Sequence, residues 1–135
     1  MSEEIRSAEI GRVLGNYAKA WSAGDSAAIF AAYHEDFVLH YFGESPLAGS
    51  HRGRAAAMPV LMEATRLSGR CLLSIEDVLA GEGLGALVVR EALGSGDDAR
   101  EVRRILLYRV RYGQLFECWL FDEDQRFVDR LWSGA

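Results

Sequence analysis

The sequence predicts an α+β fold, in which three N-terminal helices pack on one face of a curved, mostly antiparallel sheet. The stretch from residue 100 to residue 122 supports this most strongly, because two runs rich in β-branched and aromatic residues flank a turn at Gly113. Both runs carry apolar residues on both faces, so we expect both faces of this hairpin to be at least partly covered. Helical patterns fill the first half of the chain and strand patterns the second, an order typical of α+β domains.

Three helices are predicted before the main run of strands. An apolar stripe predicts the first helix over roughly residues 3–22, with Ser2 as its cap. Asp25 can cap a second, short helix that follows a tight turn. The third helix covers residues 54–67, where Pro59 favours a broken start. The stripe of the first helix consists of Ile10, Val13, Leu14, Tyr17 and Trp21.

Strands dominate the rest of the chain. A compact apolar strand is predicted at residues 37–42, followed by a loop over residues 43–53 that is rich in Gly, Ser and Pro. Short turns containing Gly separate the later strands, so antiparallel hairpins are the simplest connection. A final short helix or turn is predicted within residues 123–132. The four later strands cover residues 70–79, 84–93, 100–112 and 115–122.

Length, composition and charge limit the classes of function. The 135 residues indicate a single domain over residues 1–135, and half of them are apolar, enough for a core. The net charge of −5 argues against nucleic acid as a partner, because phosphate binding needs a basic face. No apolar run is long enough to span a bilayer, and the acidic start does not resemble a secretion signal. We therefore expect a cytoplasmic protein that binds neither nucleic acid nor membrane.

The sequence predicts neither a metal site nor an organic cofactor. Cys71 and Cys118 lie far apart, without a CxxC motif or a Cys/His cluster, so neither a zinc site nor a redox pair is predicted. Both are expected to be buried, reduced thiols. Gly81, Gly83 and Gly85 lie between strands rather than before a helix, so they do not form a phosphate-binding loop.

Two polar residues in apolar surroundings are the first candidates for a functional site. His40 is the one titratable group in the run of residues 37–42, and imidazole suits proton transfer near neutral pH. It is either a functional group in a pocket or a core histidine with a backbone or tyrosine partner. Tyr17 lies on the buried stripe of the first helix, where its hydroxyl needs a partner, either a ligand or His40.

Further candidates follow from strand alternation and from aromatic content. Trp21 and Tyr33 either line a pocket for a flat apolar ligand or belong to the core. Arg104 shares a strand face with Leu106 and Tyr108, and it either anchors a ligand or pairs with a carboxylate such as Glu91. In the next strand, alternation places Phe116, Cys118, Leu120 and Asp122 on one face. Asp122 is then either an acid of the pocket or a cap of the final turn.

Several stretches resemble the SnoaL-like branch of the NTF2-like superfamily, which includes ketosteroid isomerase, limonene epoxide hydrolase and polyketide cyclases. The resemblance implies a cone-shaped fold whose curved sheet carries the helices on its concave face, around a largely apolar pocket. It also implies a homodimer formed through the convex face of the sheet. The stretches are residues 17–25 (YAKAWSAGD), 36–40 (DFVLH), 46–49 (PLAG) with 52–54 (RGR), 108–115 (YRVRYGQL), and Asp124 and Gln125 with Asp129 and Trp132.

The same resemblance implies roles for individual residues. Tyr17 matches the oxyanion-hole tyrosine of the isomerase, and His40, with Tyr41 as the competing match, lies at the position of its general-base aspartate. The catalytic His and Asp of the polyketide cyclases fall at Leu106 and Leu120. The cyclase match also turns the face of Leu120 toward the pocket. The Arg-x-Asp pair of the epoxide hydrolase is absent from every predicted strand.

Together, these observations favour a cofactor-independent enzyme that acts by general acid/base chemistry on a small apolar metabolite. Isomerisation, cyclisation and hydration are the candidate reactions, with His40 as the acid or base and Tyr17 holding a developing oxyanion. The alternative is a non-catalytic binding protein or a dimeric scaffold of the same fold, so enzyme activity itself stays open. The predicted pocket residues are Trp21, Tyr33, Arg104, Leu106, Tyr108, Cys118, Leu120 and Asp122.

Overall fold

The computed structural model describes residues 3–134, with side chains from residue 6 onward, so the predicted cap at Ser2 lies outside the described residues. Helices and strands follow the order that the sequence predicts, with one additional short strand. The elements are α1 (Glu3–Ala23), α2 (Ser26–Ala32), β1 (Tyr33–Tyr41), β2 (Gly49–Arg52), α3 (Arg54–Ser68), β3 (Cys71–Ala80), β4 (Leu84–Leu93), a 3₁₀ turn (Gly96–Asp98), β5 (Arg100–Arg111), β6 (Gln114–Asp122) and α4 (Gln125–Trp132).

The six strands form one sheet in the order β2-β1-β6-β5-β4-β3. β1 runs parallel to β6, and every other neighbouring pair is antiparallel. The predicted class, α+β with a mostly antiparallel sheet, is confirmed. The central hairpin of β5 and β6 turns through Tyr112 and Gly113, both with positive φ (56° and 70°), which suits the right-handed twist of the flanking strands.

The two faces of the sheet differ in what covers them. Helix α1 packs on β3 and β4, and α3 packs on β1, so these helices cover one face, called here the inner face. Leu106 and Leu120, which face each other across β5 and β6, are buried there. Ile105 and Phe121 point to the opposite, outer face and are 41% and 45% exposed. Because side chains alternate along the strands, the residues of the core lie on the inner face, and the residues between them lie on an outer face that the helices do not cover.

Strand β1 differs from its predicted bounds in a way that affects the site. It begins at Tyr33, earlier than predicted, because the acidic segment before residue 37 continues the strand instead of breaking it. The register with β6 shifts between Tyr33 and Val38, so the segment between them is irregular. The additional strand β2, Gly49–Arg52, lies within the predicted loop, and its sequence GSHR carries no apolar alternation that would have indicated it.

Helix α3 corrects the prediction of a broken start. It runs without interruption from Arg54 to Ser68 with Pro59 inside it. A proline at this position removes one backbone hydrogen bond. Ala57 and Ala64 on the same helix are completely buried, so packing against the rest of the protein holds the helix together across the proline. Asp25, by contrast, caps α2 as predicted, with its side chain accepting a hydrogen bond from the Ala28 amide at 3.2 Å.

Candidate functional site

A cavity of about 560 Å³ lies between the helices and the inner face of the sheet. Its walls are mostly aliphatic and aromatic, with Leu39 and Leu72 from the sheet facing Ile29 and Met58 from the helices. The rim includes Met62, whose side chain is 72% exposed. A cavity of this size and character is suited to a small, largely apolar molecule.

Three tyrosines form a connected group on one side of this cavity. The hydroxyls of Tyr17 and Tyr33 share a hydrogen bond, and their rings meet edge to face at 5.6 Å between centroids. Tyr108 packs edge-on against Tyr17 at 5.9 Å. Burial raises the pKa of each of these phenols, and for Tyr33 and Tyr108 the neighbouring Tyr17 raises the pKa further. All three phenols therefore keep their protons at neutral pH.

Tyr41 also lines the cavity, but its hydroxyl has a different environment. The side chain is 3% exposed, and its oxygen is buried without a hydrogen-bond partner among the described residues. The ring stacks on Trp132 at 4.5 Å between centroids and meets His51 edge-on at 6.3 Å. Burial raises the pKa of this phenol far above its ordinary value, so it also remains protonated.

The charged part of the cavity wall is an ion pair between Arg70 and Glu91. Nε and Nη2 of Arg70 donate to the two carboxylate oxygens of Glu91 at 2.8 and 3.0 Å. The guanidinium also lies over the ring of Trp21, 5.3 Å from its centroid. Burial opposes the charge of Arg70, but the adjacent Glu91 carboxylate outweighs that effect and raises the arginine pKa.

Arg104 and Asp122, both predicted to line the pocket, lie outside the cavity lining. They face each other across β5 and β6, and Nε of Arg104 donates to Oδ1 of Asp122 at 2.6 Å. Arg104 also donates to Oε1 of Glu91 at 3.4 Å. Trp132 of α4 covers the guanidinium, with its ring centroid 5.7 Å away. Their role is therefore to extend the Arg70–Glu91 pair into a buried row of alternating charges.

His40 lies on the outer face of the sheet, so the prediction that it meets Tyr17 inside a pocket is wrong. In β1 the buried residues Leu39 and Tyr41 point inward, and alternation turns His40 outward. Its Nδ1 lies 2.7 Å from Oγ of Ser50, and its Nε2 lies 2.6 Å from Oε2 of Glu117. Tyr41, the competing match, is the member of this pair that lines the cavity.

The neighbours of His40 form a compact polar group on that outer face. Trp119 stacks on the imidazole at 5.2 Å between centroids, and Arg109 donates to Glu117 at 3.3 Å. Burial raises the pKa of Glu117, but the hydrogen bonds from His40 and Arg109 lower it more, so the net pKa lies below its usual range. This group is well satisfied without any ligand.

The remaining predicted pocket residues line the cavity. One of them, Cys118, is buried, which raises the pKa of its thiol to about 12 and keeps it protonated. The others are Trp21, Tyr33, Leu106, Tyr108 and Leu120.

Arg70 and Glu91 line the cavity although neither is among the pocket residues that the sequence predicts. Glu91 could have been found, because it is the one acid among the inward positions of β4, where Leu87, Val89 and Leu93 are completely buried. Arg70 gave no comparable signal, since it stands at a helix–strand junction.

Two further properties concern the described residues 3–134. No helix among them is both long enough and apolar enough to cross a membrane. Within the same residues, no three His, Cys, Asp or Glu side chains are grouped as a metal site would require.

The chain is similar to known proteins in both sequence and structure. Residues 14–118 match the family model of the SnoaL-like domain. Among solved structures, a protein of unknown function with a cystatin-like fold from Xanthomonas campestris is 24% identical, with a TM-score of 0.81 over 90% of this chain and 95% of that one. No curated protein sequence matches the chain.

Two other solved structures are similar over most of their length. An NTF2-like protein from Burkholderia xenovorans LB400 is 22% identical, with a TM-score of 0.73 over 93% of this chain and 97% of that one. A candidate polyketide cyclase from Sinorhizobium meliloti is 14% identical, with a TM-score of 0.61 over 82% of this chain and 94% of that one. At these identities the likeness concerns the fold alone.

Proposed function

The chain belongs to the SnoaL-like domain family, and we propose that it is a cofactor-independent enzyme acting on a small, largely apolar metabolite bound in the cavity. The candidate reactions are isomerisation, cyclisation and hydration. The observation that supports this proposal is the hydrogen-bonded pair of protonated phenols, Tyr17 and Tyr33, set in an otherwise apolar cavity. A buried pair of this kind offers a preorganised donor to a substrate oxygen.

One orientation of the hydrogen bond between the hydroxyls of Tyr17 and Tyr33 suits catalysis. When Tyr33 donates its proton to the oxygen of Tyr17, the hydroxyl proton of Tyr17 is available to a carbonyl oxygen of the substrate. Negative charge that develops on that oxygen is then stabilised by a buried donor already in place, between mostly apolar walls. Because the pKa values of both phenols are raised, neither loses its proton at neutral pH.

Proton abstraction requires a base, and among the described cavity residues Glu91 is the carboxylate available. In an isomerisation it would accept a proton from a carbon next to the carbonyl and return it to another carbon of the enolate. Its two oxygens are already engaged by Arg70 and Arg104 at 2.8 to 3.4 Å. This engagement favours a second candidate function, in which the same cavity binds its ligand without converting it.

A panel of small ketones, enones and epoxides, followed by mass spectrometry, tests both candidates. For an enzyme, we expect Tyr17→Phe to lower kcat by about 10²–10³-fold, the usual effect of losing one oxyanion donor. Tyr112→Phe, which removes the hydroxyl of a residue that is 78% exposed and outside the cavity, is the matched control. Saturable binding without product over long incubation would establish the binding protein instead. Failure of the wild-type protein to take up any member of the panel would contradict both.

We also propose a homodimer formed through the outer face of the sheet. Ile105, Phe42 and Phe121 are 41–45% exposed there, and the two phenylalanine rings stack at 5.2 Å between centroids. An open apolar sheet face is typical of a self-association surface. Ile105→Glu should convert the dimer to a monomer in light-scattering measurements, with Met62→Glu on the cavity rim as control; a wild-type monomer at micromolar concentration would contradict the proposal.

The proposed setting is the cytoplasm, with no nucleic acid or membrane as partner. Its support is that Cys71 and Cys118 are free thiols, as expected in a reducing compartment. The expectation that both are buried holds for Cys118 but is wrong for Cys71, which is exposed at the start of β3. On the sheet surface Arg90 pairs with Glu101 and Arg103 pairs with Glu76, so these two cations add no uncompensated positive charge for a phosphate backbone.

A further inference from the structure

We propose that the ligand of the cavity is uncharged and carries two oxygen functions, one held by the Tyr17–Tyr33 hydroxyl pair and the second held by the hydroxyl of Tyr41. This inference rests on the proposed function, because it assumes that the cavity receives a small molecule, and it adds the chemical class of that molecule.

The hydroxyl of Tyr41 is buried and has no hydrogen-bond partner among the described residues. A buried donor without a partner is costly, and in folded proteins nearly every such group is hydrogen-bonded. The phenol oxygen of Tyr41 has no partner among the described residues, although the cavity extends alongside its ring. A phenylalanine would fill the same space without this penalty. A ligand oxygen that enters from this cavity and displaces the side chains packed around the hydroxyl would supply the missing hydrogen bond.

The charged side chains near Tyr41 already compensate one another. Arg70 pairs with Glu91, and Arg104 pairs with Asp122, so these two cations and two anions compensate each other. Arg66, the other cation of the described lining, stands at the rim and pairs with Glu63. An anionic ligand would therefore find no uncompensated cation in the described part of the cavity, and a neutral ligand avoids the cost of burying a charge.

Tyr41 lies apart from the other three tyrosines of the cavity. Tyr108, Cys118 and Leu39 lie side by side across three strands, and the next inward row consists of Leu106, Leu120 and Tyr41. Successive inward rows of a strand are roughly 7 Å apart. Tyr41 stacks on Trp132, whereas Tyr33 and Tyr108 both contact Tyr17. The two anchors thus suit two different atoms of one ligand.

Binding of three fluorescent naphthalenes tests the proposal. The probes are 2-naphthol with one hydroxyl, 2,6-dihydroxynaphthalene with two, and 6-hydroxy-2-naphthoate with a carboxylate in place of the second hydroxyl. We expect the wild-type protein to bind the diol about 5-fold more tightly than the mono-ol, the effect of one additional hydrogen bond. The carboxylate should bind more weakly than the diol.

The matched variants are Tyr41→Phe and Tyr112→Phe. Tyr41→Phe should bind both the mono-ol and the diol with the wild-type affinity for the mono-ol, and so erase the preference for the second hydroxyl. Without ligand, Tyr41→Phe should also raise Tm by about 3 °C, because it removes a buried, unsatisfied hydroxyl. Tyr112→Phe, at a residue that is 78% exposed, should change neither the preference nor Tm by a comparable amount.

Three results would overturn the inference while leaving the proposed function intact. One is a diol preference that survives Tyr41→Phe, and another is tighter binding of the carboxylate than of the diol. The third is a lower Tm for unliganded Tyr41→Phe, which would mean that an ordered water already satisfies the hydroxyl. Absence of binding of all three probes to the wild-type protein would overturn the inference and would also count against the cavity as a ligand site.

Discussion

Nε2 of His40 lies 2.6 Å from Oε2 of Glu117, on the face of the sheet opposite the cavity. The imidazole is completed on its other side by Ser50 and is stacked on Trp119. Every polar atom of this ring is therefore engaged in the protein itself. The contact gives His40 a structural role on the outer face.

His40→Gln should leave ligand binding in the cavity unchanged and should destabilise the protein by about 1 kcal/mol, the usual net effect of losing a hydrogen bond. The reason is that His40 touches no cavity residue on the inner face but links β1 to β2 and β6. Urea unfolding monitored by tryptophan fluorescence, together with naphthol titration, measures both effects. A strong loss of ligand affinity with little change in stability would contradict this assignment.

The lowered pKa of Glu117 predicts a pH dependence of stability. Because the folded-state pKa lies below that of the unfolded chain, the unfolded state binds the proton more readily. The stabilisation is complete above the unfolded-state pKa and is lost as pH falls through the folded-state pKa. Glu117→Gln should therefore flatten the acid side of a plot of unfolding free energy against pH. Glu123→Gln, at an exposed side chain outside this group, should keep the wild-type slope.

Asp122→Asn should destabilise the protein by about 3–5 kcal/mol, because it leaves the charge of Arg104 only partly compensated. The Arg104 side chain is 1% exposed and that of Asp122 2%, so water cannot replace the lost carboxylate. Glu101→Gln breaks a surface pair with Arg90, where Glu101 is 54% exposed, and should cost far less, because solvent screens exposed charges. Chemical denaturation of both variants measures the difference; equal costs would show that burial does not govern the Arg104 pair.

Tyr112→Asn should stabilise the β5–β6 hairpin by about 1 kcal/mol, because Tyr112 adopts a positive φ of 56° that asparagine tolerates better. The contacts of Tyr112 with His34 and Phe116, at 5.4 and 6.4 Å between ring centroids, would be lost and reduce the gain. A thermal melt measures the net effect. A lower Tm would mean that these aromatic contacts outweigh the backbone strain.

In strand β1 the sequence does not determine which side chains face inward. The run Phe37–Val38–Leu39–His40–Tyr41–Phe42 is apolar at almost every position, so it predicts a strand without showing which residues face inward. A shift of one residue exchanges the two faces of a strand. The choice between His40 and Tyr41 was therefore open in the sequence, and pairing with both β2 and β6 decided it.

The sequence also does not determine which charged side chains form the buried row. Arg70, Glu91, Arg104 and Asp122 lie on four different strands or strand ends, and only the register of the sheet brings them together. The sequence indicates two alternatives for Arg104, a ligand or a carboxylate such as Glu91. It could not show that Arg70 joins them at the cavity wall.

The sequence by itself determined the kinds and order of the main elements and, through them, the fold class, because helix and strand periodicity are local properties of the chain. The inward aromatic residues of α1 and β5, Tyr17 and Tyr108, follow from the same periodicity. Tertiary structure alone decided which face of β1 meets the cavity and which charged side chains compensate one another. Those outcomes depend on pairing between distant strands, and that pairing leaves no periodic signal in a single segment.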